Sequence, residues 1–392
     1  MPYRIRKRES VTSAVRRIVR EETDKAVGDL LSVPGGRIKG IHEARKCIKK
    51  VRATLRLAQP KLGEHFAPAN QAYRDISRQL SGPRDAEAII ESLDKLVTSV
   101  SDAQHQEVFA RIREALVARR DAVVAQSADL NDKVAGLAQL LTEVRTASEH
   151  WVIRPDSFAS LAAGLERAYR RGRKAMKEAF RAPTDMHFHE WRKEVKAHWY
   201  HVRLLRGIWP KVMVALEGEL GLLADLLGDD HDLAVLRDVL AGEAWEDGDK
   251  GEMKPILALI RKRRQQIRKA GHSLAQHLYV EKASALRKRF GRYWDIWHRE
   301  ARGTEEFQVS GPGDQAEPPP EIVVEAGSPA PEPVDEAADS GADAGPNAQS
   351  ADASDGDKGE ADGAERSMEE SPVVGSIHIV TDSLPRGSGR VV

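Results

Sequence analysis

Between residues 9 and 300, apolar side chains recur at three- and four-residue spacing, with Arg, Lys, Glu and Ala between them. That period gathers the apolar residues on one side of an α-helix. The residues that dominate, Ala, Leu, Arg, Glu and Lys, are good helix formers. Runs of alternating β-branched residues are nearly absent, so the body is expected to be all-α. Breaks are expected at VPGGR (33–37), near Pro60, at SGP (81–83), near 126–131, at Arg154-Pro155, at Pro183, at Pro210, at LGDD (227–230) and across EDGDKGEMKP (246–255). They leave about a dozen helices of roughly 10–25 residues, ordinary lengths for a helical bundle.

The chain contains an internal repeat. HEARKCIKKVRATLRL at 42–57 returns as HEWRKEVKAHWYHVRLL at 189–205. An offset of 147 residues sets His42 on His189, Glu43 on Glu190, Arg45 on Arg192, Lys46 on Lys193, Lys49 on Lys196 and Arg56 on Arg203. Without a gap, the same offset sets Ile76 on Leu223, Leu80 on Leu227, Asp85 on Asp232 and Ile89 on Leu236. One shift that aligns several consecutive helices points to duplication of a multi-helix unit. The halves are expected at 1–150 and 151–302, packed about a pseudo-twofold axis as two tandem bundles.

Charge sharpens this division. The whole chain is formally neutral, with 61 basic and 61 acidic residues. Residues 303–392 hold 20 acidic and 4 basic side chains, which leaves 57 basic and 41 acidic in 1–302. A basic body therefore carries an acidic tail. The tail is rich in Pro, Ala, Gly, Asp and Ser and cannot bury enough apolar surface to offset its ordering entropy, so 303–392 is expected to be disordered. SIHIV at 376–380 is a short apolar island within it. Cys47 is the sole cysteine, so no intrachain disulfide can form, as befits a reducing compartment. No apolar signal core opens the chain, and no apolar run approaches the length of a membrane span. A soluble, cytoplasmic protein is expected.

The repeated segment carries the candidate chemistry. Residues 42–57 include seven ionised side chains, six of them positive. On a helix, His42, Arg45, Lys46, Lys49, Arg52 and Arg56 fall within an arc of about 120°. Ala44, Cys47, Ile48, Val51, Leu55 and Ala58 take the other side. The second copy sets His189, Arg192, Lys193, Lys196 and Arg203 in a similar row. Val195, Val202, Leu205 and Trp191 lie away from it, with Trp199 at its edge and Tyr200 within it. A solvated basic face is the plain alternative, but like charges at i,i+4 destabilise a helix by roughly 0.2–0.5 kcal/mol per pair. Two matching rows facing one cleft would instead form an anion site. Arg can fork two phosphate oxygens, Lys acts as a point charge, and His42 and His189 would donate to phosphate with a pH-dependent contribution. RKRRQQIRK (261–269), RKR (287–289), RRGRK (170–174) and Arg16, Arg17 and Arg20 read as solvated faces, some adding to the anion path.

H-E-x-R-K-x-x-K-x-x-R at 42–52 and H-E-x-R-K-x-x-K at 189–196, each followed by L-x-G/D-x-x-D (80–85 and 227–232), resemble the CHAD domain, a histidine-marked α-helical domain. The resemblance extends over about 5–300, including the opening YRIRKRESV. It implies two helical bundles around a basic central cleft that binds inorganic polyphosphate without catalysis or cofactor. The residues carried over are His42, Arg45, Lys46, Lys49, Arg52, Arg56, His189, Arg192, Lys193, Lys196 and Arg203. It also makes polyphosphate granules an expected location and granule-associated proteins candidate partners. Trp199 stands where a cation opposite Arg52 would be expected. The E-x-E-x-K signature of the triphosphate-tunnel domain that often accompanies CHAD is absent, so a stand-alone CHAD protein is expected. Asp85 and Asp232 read as helix-start or ion-pair residues.

Two rival readings remain open in the sequence. The basic body could bind nucleic acid nonspecifically through phosphate neutralisation, with Trp199 and Tyr200 stacking on bases, although no nucleic-acid motif is present. HFHE (187–190) and DDHD (229–232) could supply ligands for a metal-dependent phosphohydrolase. The repeat opposes this, since His187, Asp230 and His231 align with Gly40, Pro83 and Arg84. Deletion of 303–392 is expected to tighten polyphosphate binding if the acidic tail competes for the basic cleft. A dissociation constant unchanged by the deletion would remove that competition.

Overall fold

A computed structural model of the chain describes residues 3–32, 37–80, 82–98, 103–125, 130–242 and 249–309, without some side chains at helix ends. Every regular element among the described residues is helical. The long helices are α1 (Val11–Leu31), α2 (Arg37–Leu62), α3 (Phe66–Gln79), α4 (Gly82–Val97), α5 (Ala103–Ala125), α6 (Leu130–Ala147), α7 (Ala159–Arg181), α8 (Asp185–Leu204), α9 (Pro210–Ala241), α10 (Asp249–Leu278) and α11 (Ala283–Val309). The offset of 147 carries α1 onto α7, α2 onto α8, and α3 with α4 onto α9. It also carries α5 onto α10 and brings α6 to the start of α11.

Local signals explain most boundaries. Ser10 caps α1 by accepting from the Ser13 backbone N–H at 3.0 Å, and Thr184 caps α8 by accepting from His187 N–H at 3.2 Å. Pro210 occupies the first turn of α9, where its missing N–H costs nothing. Gly63 takes φ 54° just after α2, a left-handed conformation that a Cβ would resist.

The break expected near Pro60 comes two residues after it, where α2 ends at Leu62. Two other expected breaks are corrected. LGDD (227–230) does not interrupt α9, which runs unbroken for 32 residues. The first copy has Pro83 here and starts a new helix at Gly82, whereas the second has Asp230 and keeps every backbone donor. α10 begins at Asp249 and contains Pro255, well before the end of the expected loop. The expectations for 303–392 lie outside the described residues, except that α11 continues to Val309, past the boundary drawn at 302.

Two hydrophobic cores hold the body, and each draws on both sides of residue 150. The smaller combines α4 and α5 with the C-terminal half of α9 and with α10, through residues such as Leu93, Ile112, Leu236 and Ile256. The larger joins α1, α2, α3 and α6 to α7, α8, α11 and the first half of α9. α2 approaches α7 so closely that a Cβ on Gly164 would collide with the Leu57 carbonyl oxygen. The segment between α6 and α7 is pinned as well. Ile153 N–H donates to Thr12 Oγ1 at 2.9 Å, and Val11 N–H donates to Asp156 Oδ1 at 2.6 Å.

Two histidines on the buried side of α8 add an acid-sensitive element. His198 and His201 are each 1% exposed. His201 Nε2 meets the Ala53 carbonyl of α2 at 3.0 Å, while neither nitrogen of His198 has a hydrogen-bond partner among the described residues. Burial pushes His198 down to about 3 and His201 to about 4. The unfolded chain therefore binds more protons than the folded one between those values and about 6.5, so stability rises with pH across that window. Thermal unfolding should occur at lower temperature at pH 5 than at pH 7.5, each histidine costing on the order of 1–2 kcal/mol. Replacing His198 by Phe should flatten the pH dependence; an equally steep dependence in H198F would contradict this assignment.

Candidate functional site

The repeated helices dock as their patterns require. On α2, Ala44, Cys47, Ile48, Val51, Leu55 and Ala58 are all buried. On α8, Trp191, Val195 and Val202 are buried too, as is Leu205 just past its end. Burial pushes the Cys47 thiol up to about 12, removing it as a nucleophile near neutral pH. Of the cationic row, Lys46 and Lys49 are exposed, while His42, Arg45, Arg52, Arg56, His189, Arg192, Lys193, Lys196 and Arg203 are half-buried. Tyr200 departs from expectation. It is buried, edge-on to Tyr3 with ring centroids 6.0 Å apart, and is not available for stacking on a base.

Each row turns towards the helix that follows it. Arg45 Nη1 donates to the Leu80 carbonyl at the end of α3 at 3.4 Å, and Arg52 Nε donates to Asn70 at 3.2 Å. In the second half, the Arg192 guanidinium lies 3.7 Å from where a Gly228 Cβ would stand, and Lys196 approaches Asp225 at 3.9 Å. Leu80 and Gly228 occupy equivalent places under the offset, give or take one residue, so Arg45 and Arg192 sit alike. α2 packs on α8, α8 on α9, α9 on α4 and α4 on α2, which closes a circuit of four helices. The His201–Ala53 bond fastens α8 to α2 within this circuit.

Acidic relief along the rows is local. Glu43 pairs with Lys46 at 2.7 Å and Glu190 with Lys193 at 2.9 Å. Glu217 takes Arg203 at 3.5 Å, and Arg171 reaches Glu194 at 4.0 Å. Burial and Arg192 together lower the Lys196 ammonium pKa, as expected where cations crowd. Trp199, which replaces the cation opposite Arg52, packs over Gly221 and carries Lys196 at 5.6 Å and Arg203 at 5.5 Å from its ring centre. It organises charge by cation–π contact where the first half supplies charge directly.

Burial, with His231, Lys193 and Arg192 close by, pushes His189 down to about 4, so it is neutral in the unliganded protein at pH 7. Its Nδ1 lies 3.4 Å from Nδ1 of His231 on α9. The repeat did not single out His231, because the equivalent residue is Arg84. Its proximity followed only from α9 continuing straight through 227–230.

Within the basic segment 261–269, Arg261, Lys262, Arg263 and Lys269 are exposed as expected, whereas Arg264 and Arg268 are corrected. Arg264 is 7% exposed and Asp230 1% exposed. Arg264 Nε and Nη2 grip Asp230 at 3.0 and 3.1 Å, and Arg268 grips the same carboxylate at 2.9 and 3.1 Å. Asp185 receives Arg264, Arg268 at 3.0 Å and Arg237 at 2.8 Å. These arginines hold the Asp185 carboxyl pKa at about 2 against its burial. They are neither a solvated face nor part of an anion path. Both oxygens of Asp230 are committed to arginine, and no group of three His, Cys, Asp or Glu among the described residues is placed to hold a metal. Asp232 sits in mid-α9 near Lys95 and Lys196, while the Asp85 side chain lies outside the described residues.

The model of the CHAD domain family matches residues 17–241, a span that includes both histidine motifs and the helices after them. The chain belongs to the CHAD domain family. A crystal structure of the CHAD domain from the plant Ricinus communis is similar at 16% identity and a TM-score of 0.43, over 74% of this chain and 96% of that one. No curated protein matches the chain. The CHAD match ends where α9 ends, so α10, which supplies Arg264 and Arg268, lies beyond it. No helix among the described residues is long and apolar enough to cross a membrane.

Removing Asp230 would leave two arginines without their buried counter-charge. D230N should lower unfolding free energy by about 3–5 kcal/mol in denaturant titration. A loss below about 1 kcal/mol would show that Arg264 and Arg268 are not held by this carboxylate.

Proposed function

We propose that this CHAD protein binds inorganic polyphosphate, without chemistry, along the cationic rows of α2 and α8. The family is commonly linked to polyphosphate binding. The observation that carries the reading is the placement of the two rows. They lie on two helices fastened together at His201 and Ala53, and each turns towards the helix that follows it in the chain. Cations fixed on a partly buried scaffold focus their field and need little reorganisation when a polyanion arrives. A flexible chain of phosphates suits two rows of Arg and Lys better than a single phosphate would, because its charges are spaced along a line. The binding residues are His42, Arg45, Lys46, Lys49, Arg52, Arg56, His189, Arg192, Lys193, Lys196 and Arg203. Granule association would follow from this affinity.

Nucleic acid is the rival ligand, and competition separates the two. Polyphosphate of defined length should displace RNA readily, while RNA should fail to displace polyphosphate. Affinity should fall steeply with salt as counterions are released. Replacing Arg45, Lys49, Arg192 and Lys196 together by Gln should weaken binding on the order of a hundredfold. It should also reduce the slope of log affinity against log salt by roughly 3. Wild-type affinity in that variant, measured by calorimetry, would end the site assignment.

A further inference from the structure

We infer that His231 joins His189 as one binding unit that takes up a single proton from solvent when a phosphate group docks beside it. This rests on the polyphosphate reading above and adds a linkage that belongs to the second half alone. The two rings face each other with Nδ1 atoms 3.4 Å apart and ring centres 4.6 Å apart. Two neutral imidazoles in this contact must be opposite tautomers. One carries its hydrogen on Nδ1 and leaves Nε2 bare; the other accepts at Nδ1 and carries its hydrogen on Nε2. The neutral pair thus offers one outward donor and one outward lone pair. Ionised phosphate oxygens only accept, so the lone pair opposes them. One added proton leaves Nδ1–H···Nδ1 in place and makes both Nε2 atoms donors. No bond breaks, and the charge of the pair becomes +1.

The surroundings decide what can balance that charge. From α8 the pair faces Asp185, Glu190, Arg192 and Lys193; from α9, Asp230; from α10, Arg264. Glu190 is paired with Lys193, and Asp185 and Asp230 are held by Arg264 and Arg268. On the α4 side, Lys95 is taken by Asp229 at 2.8 Å. Every nearby carboxylate is therefore committed, and Arg192 adds positive charge. Burial and these cations keep both rings neutral in the free protein, each pushed down to about 4. A docked phosphate would supply the counter-charge and raise those values. In the first half, His42 is matched with Arg84, a fixed cation by sequence, so the same device is not repeated there.

Calorimetry on the full chain with polyphosphate of one defined length, at pH 7 in two buffers of different ionisation enthalpy, counts the protons taken up. The wild type should take up about one more proton per binding event than H189Q/H231Q. It should also take up about one more than H231R, which places at 231 the charge found at 84. Wild-type affinity should rise more steeply than that of either variant as pH falls from 7.5 to 5.5, by up to about tenfold per pH unit. Binding with the same proton count in wild type and both variants would overturn the inference and leave the polyphosphate reading standing. Failure of the wild type to bind at low salt would end that reading, and this inference with it. Histidine-selective nitrogen NMR of the free wild type gives an independent check where a variant does not fold. It should show two neutral, opposite tautomers at pH 6.5; a protonated pair in the free protein would overturn the linkage.

Discussion

The architecture depends on docking two helices by their apolar sides while their cations stay crowded on the other. Mutual repulsion within such a row costs roughly 0.2–0.5 kcal/mol per like-charged pair. Burying one Ile, Val or Leu side chain contributes about 1.5–3 kcal/mol. Ile48, Val51, Leu55, Val195 and Val202 are all buried, so packing outweighs repulsion several times over. The helices cannot relieve the field by rotating or fraying without giving up that burial. The charge is thereby held in place by the packing beneath it.

The same accounting explains why the second half is not a copy of the first. Where Pro83 starts α4 afresh, Asp230 keeps α9 continuous and turns its own buried charge into an anchor for α10. That anchor costs desolvation, which two bidentate arginines offset. A straight α9 then brings His231 to His189. Trp199 belongs to the same divergence. It gives up one cation of the row, yet holds Lys196 and Arg203 over its ring. The first half keeps fixed charge along its row, while the second supplements it with aromatic and titratable groups.

Much of this was legible in the sequence. The 3.6-residue period revealed the helices and their buried sides, because an amphipathic helix has only one way to dock. The duplicated motif revealed the two rows, since the offset needed no gap. What stayed hidden depended on partners distant in the chain. Arg264 and Arg268 look as solvated as the rest of RKRRQQIRK until Asp185 and Asp230 are placed beside them. Tyr200 looks like part of the row until Tyr3, from the opening segment, closes over it. His189 looks like an ordinary imidazole until burial and a second imidazole are counted. In each case the periodicity placed the residue on its own helix correctly, and a neighbouring element decided its ionisation or exposure.

The sharing of both cores between the halves bears directly on the site. If each half enclosed a core of its own, the two rows would be fixed within their halves but free to shift against each other. Here α2 packs on α7 and α8, with the Leu57 backbone against Gly164, and α4 shares a core with α9 and α10. Sliding one row past the other would open both cores at once. Close packing resists such movement because interiors deform little before contacts are lost. The distance between the rows is therefore set by the interior as a whole. The duplicated chain gains by interleaving what two separate bundles would lack: a fixed spacing between two lines of positive charge.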